Sequence, residues 1–88
     1  MLVGGATNNL NLSFGKVLKA RRLGCGLTQA QLATESLLHV NHISRLEKGL
    51  AEPTLEDLFQ LATAMHIDTG EFLGDMITLQ NKLMTKVS

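Results

Sequence analysis

The sequence contains no tryptophan or tyrosine, one proline (Pro53), one cysteine (Cys25) and only three phenylalanines, Phe14, Phe59 and Phe72. With 44% apolar residues in a chain of 88, the core must be aliphatic and closely packed, which suits small helices better than an aromatic-rich sheet. A single cysteine excludes an internal disulfide and gives no sign of a stapled, secreted scaffold, so a reduced, cytoplasmic setting is the default. No window reaches the roughly 18 apolar residues of a membrane helix, and no membrane association is expected. The opening "MLVGGATNNLNLS" carries no basic leader, and residues 1–12 read as a flexible tail. At this length one domain is expected, folding alone or as a dimer.

Net charge is also absent: eight basic residues balance eight acidic ones, which by itself argues against a generic polyanion binder. The distribution reverses that impression. Through Leu50 the chain has Lys16, Lys19, Arg21, Arg22, Arg45 and Lys48 against Glu35 and Glu47, a net +4. From Ala51 it has Lys82 and Lys86 against Glu52, Glu56, Asp57, Asp68, Glu71 and Asp75, a net −4. One face of an otherwise neutral body is therefore expected to be basic and able to hold an anionic partner.

What is present is a series of helix starts. A short polar side chain satisfies the orphan N–H groups of a helix N-terminus. Thr28 with Gln31 forms a capping box, stapled by Leu27 and Leu32. Thr54 with Asp57 follows Pro53, and Asp68 with Glu71 is stapled by Ile67 and Phe72. Ser13 is placed to cap an earlier helix that "GCG" at Gly24 to Gly26 ends. The 21 residues from Thr28 to Lys48 contain no glycine or proline and no single apolar face, so a break falls inside them; His39 as a cap, with Leu38 and Ile43 as staple, places it. Helices are predicted at Ser13 to Leu23, Thr28 to Ser36, His39 to Lys48, Thr54 to Met65 and Asp68 to Leu73, with no strand alternation. After Leu73 the chain either frays or continues as a helix whose stripe, Leu73, Ile77, Gln80, Leu83 or Met84, and Val87, would meet a partner surface.

Two short helices joined by a turn of three or four residues form a helix-turn-helix, whose second helix enters the DNA major groove. At 100° per residue, Val40, Ile43, Leu46, Glu47 and Leu50 fall on one side of the third helix, and Asn41, Arg45 and Lys48 on the other. Asn pairs with adenine, Arg grips guanine and Lys neutralises a phosphate. Arg22, "GLTQAQLA" at Gly26 to Ala33, "ISRLEKG" at Ile43 to Gly49 and "PTLEDLFQLATAM" at Pro53 to Met65 resemble the phage-repressor type (Cro/Xre) helix-turn-helix proteins. The resemblance covers Ser13 to Leu73 and implies an all-α, compact five-helix repressor-like bundle that binds a two-fold symmetric operator on double-stranded DNA as a homodimer. It implies base contacts from Val40, Asn41 and Arg45, and backbone contacts from Thr28, Gln29, Ser44 and Lys48. His39 and His42 are further candidates for DNA contact. Ala33 would let the second and third helices cross closely.

The wheel places Glu47 among apolar neighbours, where a buried carboxylate needs a partner. The resemblance supplies Arg22 for a structural ion pair; periodicity alone does not choose between Arg21 and Arg22. Two departures from the family pattern stand out. Leu37 occupies the turn position usually held by glycine, so it or a neighbour must accept an unusual backbone conformation. Restriction-modification controller proteins also lack that glycine and are similarly small. Second, "GLAE" presents Glu52 where basic residues are common, which lowers phosphate contact and salt dependence.

Other chemistry is poorly supported. His39 and His42 lie about 60° apart on a helix, with no cysteine or carboxylate cluster to complete a metal site. Cys25 sits between glycines with no base beside it, and Ser44 belongs to no Ser-His-Asp signature. His66 reads as a surface residue at a helix C-terminus. No enzyme activity and no cofactor are expected. Residues 13–73 are assigned to the DNA-binding domain and 74–88 to a C-terminal helix or tail that makes a dimer contact or meets RNA polymerase or another protein. A rival reading makes partner binding primary, as in an antitoxin-like subunit.

Overall fold

Thr28 and Thr54 begin helices in the same way. In the computed structural model of the protein, Thr28 Oγ1 accepts the Gln31 N–H at 3.0 Å while Gln31 Oε1 accepts the Thr28 N–H at 2.9 Å. Thr54 and Asp57 repeat the exchange at 3.0 Å in both directions. The structure describes the backbone of residues 3–87 and the side chains of residues 10–82. Within these limits the chain forms α1 (Val3–Gly24), α2 (Gln29–Ser36), α3 (Val40–Glu47), α4 (Leu55–Ala64) and α5 (Thr69–Val87), with no strand.

The stops also share one geometry. The N–H of Leu27, Leu38, Leu50 and Ile67 each reaches back five residues, to the carbonyls of Arg22, Ala33, Arg45 and Ala62. The residue before each is left-handed: Gly26, Leu37, Gly49 and His66, with φ between 58° and 75°. This is the Schellman stop, which satisfies orphan carbonyls at helix ends. Only two of the four residues are glycine.

The N-terminal end of the bundle differs from the sequence expectation, and the C-terminal end takes the helical one of its two alternatives. α1 starts at Val3 and not at Ser13, despite Gly4, Gly5, Asn8 and Asn9, which are poor helix formers. Ser13 is fully buried in mid-helix, and its hydroxyl donates to Gln80 Oε1 at 2.8 Å. α5 runs on past Leu73 to Val87. Its inward side carries Phe72, Leu73, Met76 and Leu79, while Ile77 is exposed; the expected stripe through Ile77 is thus rotated. The expected contributions of Leu83, Met84 and Val87 lie outside the described side chains.

The core gathers fully buried Leu18, Leu32, Ile43, Leu46 and Leu61 with almost fully buried Phe72, and Phe14 meets Phe72 at 5.6 Å between ring centroids. Phe59 stays out of it, 65% exposed. Leu27, Leu38 and Ile67 pack on this core from the turns, as their staple positions predict. Gly15 sets how closely α1 approaches α3: a Cβ there would lie 2.6 Å from the carbonyl oxygens of both Leu46 and Glu47.

Candidate functional site

α2 and α3 are separated by Leu37, Leu38 and His39. Leu37 takes φ 63°, ψ 26°, so the leucine itself makes the left-handed turn that glycine usually makes; its side chain points away from the protein, 84% exposed. Leu38 then packs inward and His39 takes the N-cap position of α3 in extended conformation, without a side-chain cap bond.

The inward side of α3 is closed by more than apolar contact. Arg22 Nε donates to Glu47 Oε2 at 2.6 Å and Nη2 to Oε1 at 3.1 Å, with the two side chains 9% and 4% exposed. Arg22 Nη1 also donates to the Leu27 carbonyl at 2.8 Å, and Gln29 Nε2 to Glu47 Oε1 at 3.0 Å. The hydrogen bonds to Glu47 outweigh burial and raise the Arg22 guanidinium further above its ordinary value. This network ties α1, the α1–α2 turn, α2 and α3 together, and among the described residues no buried side-chain nitrogen or oxygen lacks a partner. Arg21, the other candidate, points to α5 instead, where it pairs with Asp75 and, at 3.0 Å, with Glu71.

His42 departs from its expected groove-side position. Its Nε2 lies 2.9 Å from Asp57 Oδ2, the oxygen that also accepts the Thr54 N–H at 3.0 Å. Burial alone would raise the Asp57 carboxyl, but the Thr54 N–H and the His42 ring together hold it below the usual carboxylate range. His42 therefore fastens α3 to the start of α4. Nothing in its sequence neighbourhood marks this, because the pair forms across 15 residues. Gln29, at the first position of α2, likewise turns its side-chain amide to Glu47.

The outward side keeps its polar groups open to solvent, with one hydrogen bond among them. Asn41, Arg45 and Lys48 are exposed and Ser44 is half-buried. Arg45 Nη2 donates only to the Leu50 carbonyl, at 3.2 Å. Val40 and Leu50, which the wheel grouped with the core, are 41% and 61% exposed: Val40 opens the first turn at the rim and Leu50 lies beyond the helix stop. Gly49 is closed over by Leu12, whose Cδ2 would lie 2.6 Å from an added Cβ. Cys25 is exposed, its Sγ 3.7 Å from the Met65 carbonyl. Among the described residues no group of three or more His, Cys, Asp or Glu side chains is placed to hold a metal, and no helix is long and apolar enough to cross a membrane.

Residues 18–72 match the helix-turn-helix family. The chain is 32% identical over 76 residues to the control protein C.BamHI of Bacillus amyloliquefaciens, covering 85% of this chain and 93% of that one. Its structure is similar to the restriction-modification controller protein C.AhdI of Aeromonas hydrophila, with a TM-score of 0.69 and 32% identity over 70% of this chain and 94% of that one. It is also similar to the clp gene regulator ClgR of C. glutamicum, at a TM-score of 0.73 and 26% identity over 78% and 90% of the two chains.

Proposed function

The chain belongs to the Cro/Xre-type helix-turn-helix family of DNA-binding transcription regulators, and from that premise we propose that it binds a two-fold symmetric operator as a homodimer, with α3 of each subunit in the major groove. The observation that carries this reading is the contrast on α3 itself. One side is locked to three other elements by the Arg22–Glu47–Gln29 network, and the other offers Asn41, Arg45 and Lys48 to solvent. A rigid helix with free donors is what base readout requires.

In this reading Val40, Asn41 and Arg45 meet base edges. Arg45 must first leave the Leu50 carbonyl, a loss of roughly 1 kcal/mol that a bidentate guanine contact exceeds. Lys48 and Ser44 meet the backbone. Thr28 and the Gln29 N–H offer the N-terminus of α2 to a phosphate, and exposed His39 stands at the corresponding end of α3. His42 positions α3 through Asp57. Glu52, exposed in the loop after α3, keeps phosphate contacts few and the salt dependence shallow. The cytoplasm is the compartment such a regulator requires.

Selection of bound sequences from random duplex DNA tests the reading. A palindromic consensus with half-site centres ~34 Å apart is expected. Enrichment of a single half-site would refute the dimeric arrangement, and no enrichment at low salt would refute sequence-specific binding altogether. The kinship to C.BamHI and C.AhdI makes a restriction-modification gene the first place to look for the selected site. Among the described side chains of α5, Leu73, Met76 and Leu79 pack on the chain's own core, and of the stripe on which the partner-first rival rests only Ile77 is exposed there.

A further inference from the structure

α1 and α5 run antiparallel. Ser13 meets Gln80 near one end of their contact, and Arg21 meets Glu71 and Asp75 near the other. Between these pairs lies a groove of about 540 Å³ with Val17, Ala20 and Leu79 along it. Its electrostatics are uneven. At one end the Arg21 charge is met by two carboxylates. Towards the other, Lys16 and Lys82, three residues past Ser13 and two past Gln80, have no carboxylate partner among the described residues. None of these side chains belongs to the face of α3 assigned to DNA.

We propose that this groove is a binding site for a small anionic amphiphile, a carboxylate or phosphate head held by Lys16 and Lys82 on an aliphatic body lying along Val17, Ala20 and Leu79. The volume falls within the roughly 300–1,000 Å³ of small-molecule sites, which combine an apolar lining with a few polar groups that fix orientation. Two ammonium groups with no carboxylate partner among the described residues, towards one end of an apolar trough, set that orientation: an anion gains there what an uncharged head does not. The far end, where two carboxylates meet one guanidinium, carries a net negative charge and disfavours a second anionic group there. Nothing in this assignment depends on the operator, so failure of the DNA reading leaves it standing.

The test is a titration of the full, 15N-labelled chain with octanoate, octyl phosphate and 1-octanol, each below its aggregation threshold and followed by amide chemical shifts. Octanoate or octyl phosphate should shift Val17, Ala20, Thr78 and Leu79 saturably, and the tighter of the two identifies the head. Octanol should bind about tenfold or more weakly, a difference of roughly 1.4 kcal/mol. The double variant K16Q/K82Q, altered only at exposed side chains, should melt like the parent and lose that preference for the anion. Equal binding of octanol, an unchanged preference in K16Q/K82Q, shifts centred on α3, or no saturable shift with either anion would each overturn the proposal.

Discussion

On one side of α3, Glu47 engages Arg22 and Gln29 and is almost wholly buried; on the other, Asn41 and Lys48 have no hydrogen-bond partner among the described side chains. Both sides are polar, and they lie within or beside the same eight-residue helix. The difference is in where the partners are. The inward groups find theirs within the chain, so their loss is a loss of fold. The outward groups await theirs from another molecule, so their loss should leave the fold alone. A protein that reads a surface needs both, because a mobile helix would forfeit in ordering entropy what its donors gain in contact.

The sharpest way to break this comparison is Glu47→Ala. It leaves the Arg22 guanidinium buried without its carboxylate, and removing one member of a buried pair costs about 3–5 kcal/mol. We expect the urea midpoint to fall accordingly while the selected DNA sequence, measured where the variant is still folded, stays the same. A variant that unfolds with the parent would show that the network is ornamental. Next in size, and on the opposite side, Arg45→Ala should weaken operator binding by roughly 1–3 kcal/mol and relax preference at one base position, while the unfolding midpoint falls by no more than the loss of its one exposed hydrogen bond to the Leu50 carbonyl. Lys48→Ala should weaken all duplexes alike and reduce the salt slope by about 1. If the two substitutions have identical effects on sequence preference, the division between base and backbone contacts is wrong.

The parts of this comparison that were legible in the sequence are those with short-range chemistry. Both Thr capping boxes, the left-handed stop at Gly49 and the orientation of Ile43 and Leu46 follow from residues within a turn or two of one another. The burial of Glu47 was legible as a problem, a carboxylate among apolar neighbours; periodicity did not choose between the adjacent Arg21 and Arg22, the family resemblance pointed to Arg22, and in the structure Asp75 and Glu71 take the first and Glu47 the second. Tertiary packing overrides local pattern elsewhere too. It turns His42 to Asp57, since that bond is made by how α3 lies on α4 and not by any local pattern.

Gly15 marks where close packing decides a sign. In a solvent-facing helix, Gly→Ala stabilises by about 1 kcal/mol through helix propensity alone. Here the new methyl group meets two backbone carbonyl oxygens of α3 at 2.6 Å, atoms that cannot rotate aside, and overpacking of this kind costs typically 1–3 kcal/mol. Gly15→Ala should therefore destabilise by up to about 2 kcal/mol, and Gly24→Ala, where an added Cβ meets nothing within 4 Å, provides the contrast. A Gly15→Ala protein more stable than the parent would mean that α1 and α3 separate more easily than their shared network implies.

The smallest effect concerns the turn between the two helices. Leu37 adopts φ 63°, yet its side chain is 84% exposed and has little packing to lose. A left-handed conformation costs an L-residue roughly 1–2 kcal/mol, and glycine avoids that strain while giving back about 0.4–1 kcal/mol through the freedom of the unfolded chain. Leu37→Gly should thus stabilise by roughly 0.5–1 kcal/mol, a rise of a few degrees in midpoint for a domain of this size. Leu37→Ala separates the causes, because it removes the side chain but keeps the Cβ that the backbone must accommodate. If alanine raises the midpoint as much as glycine does, the gain comes from the exposed leucine and not from the turn, and the backbone at Leu37 carries no strain worth relieving.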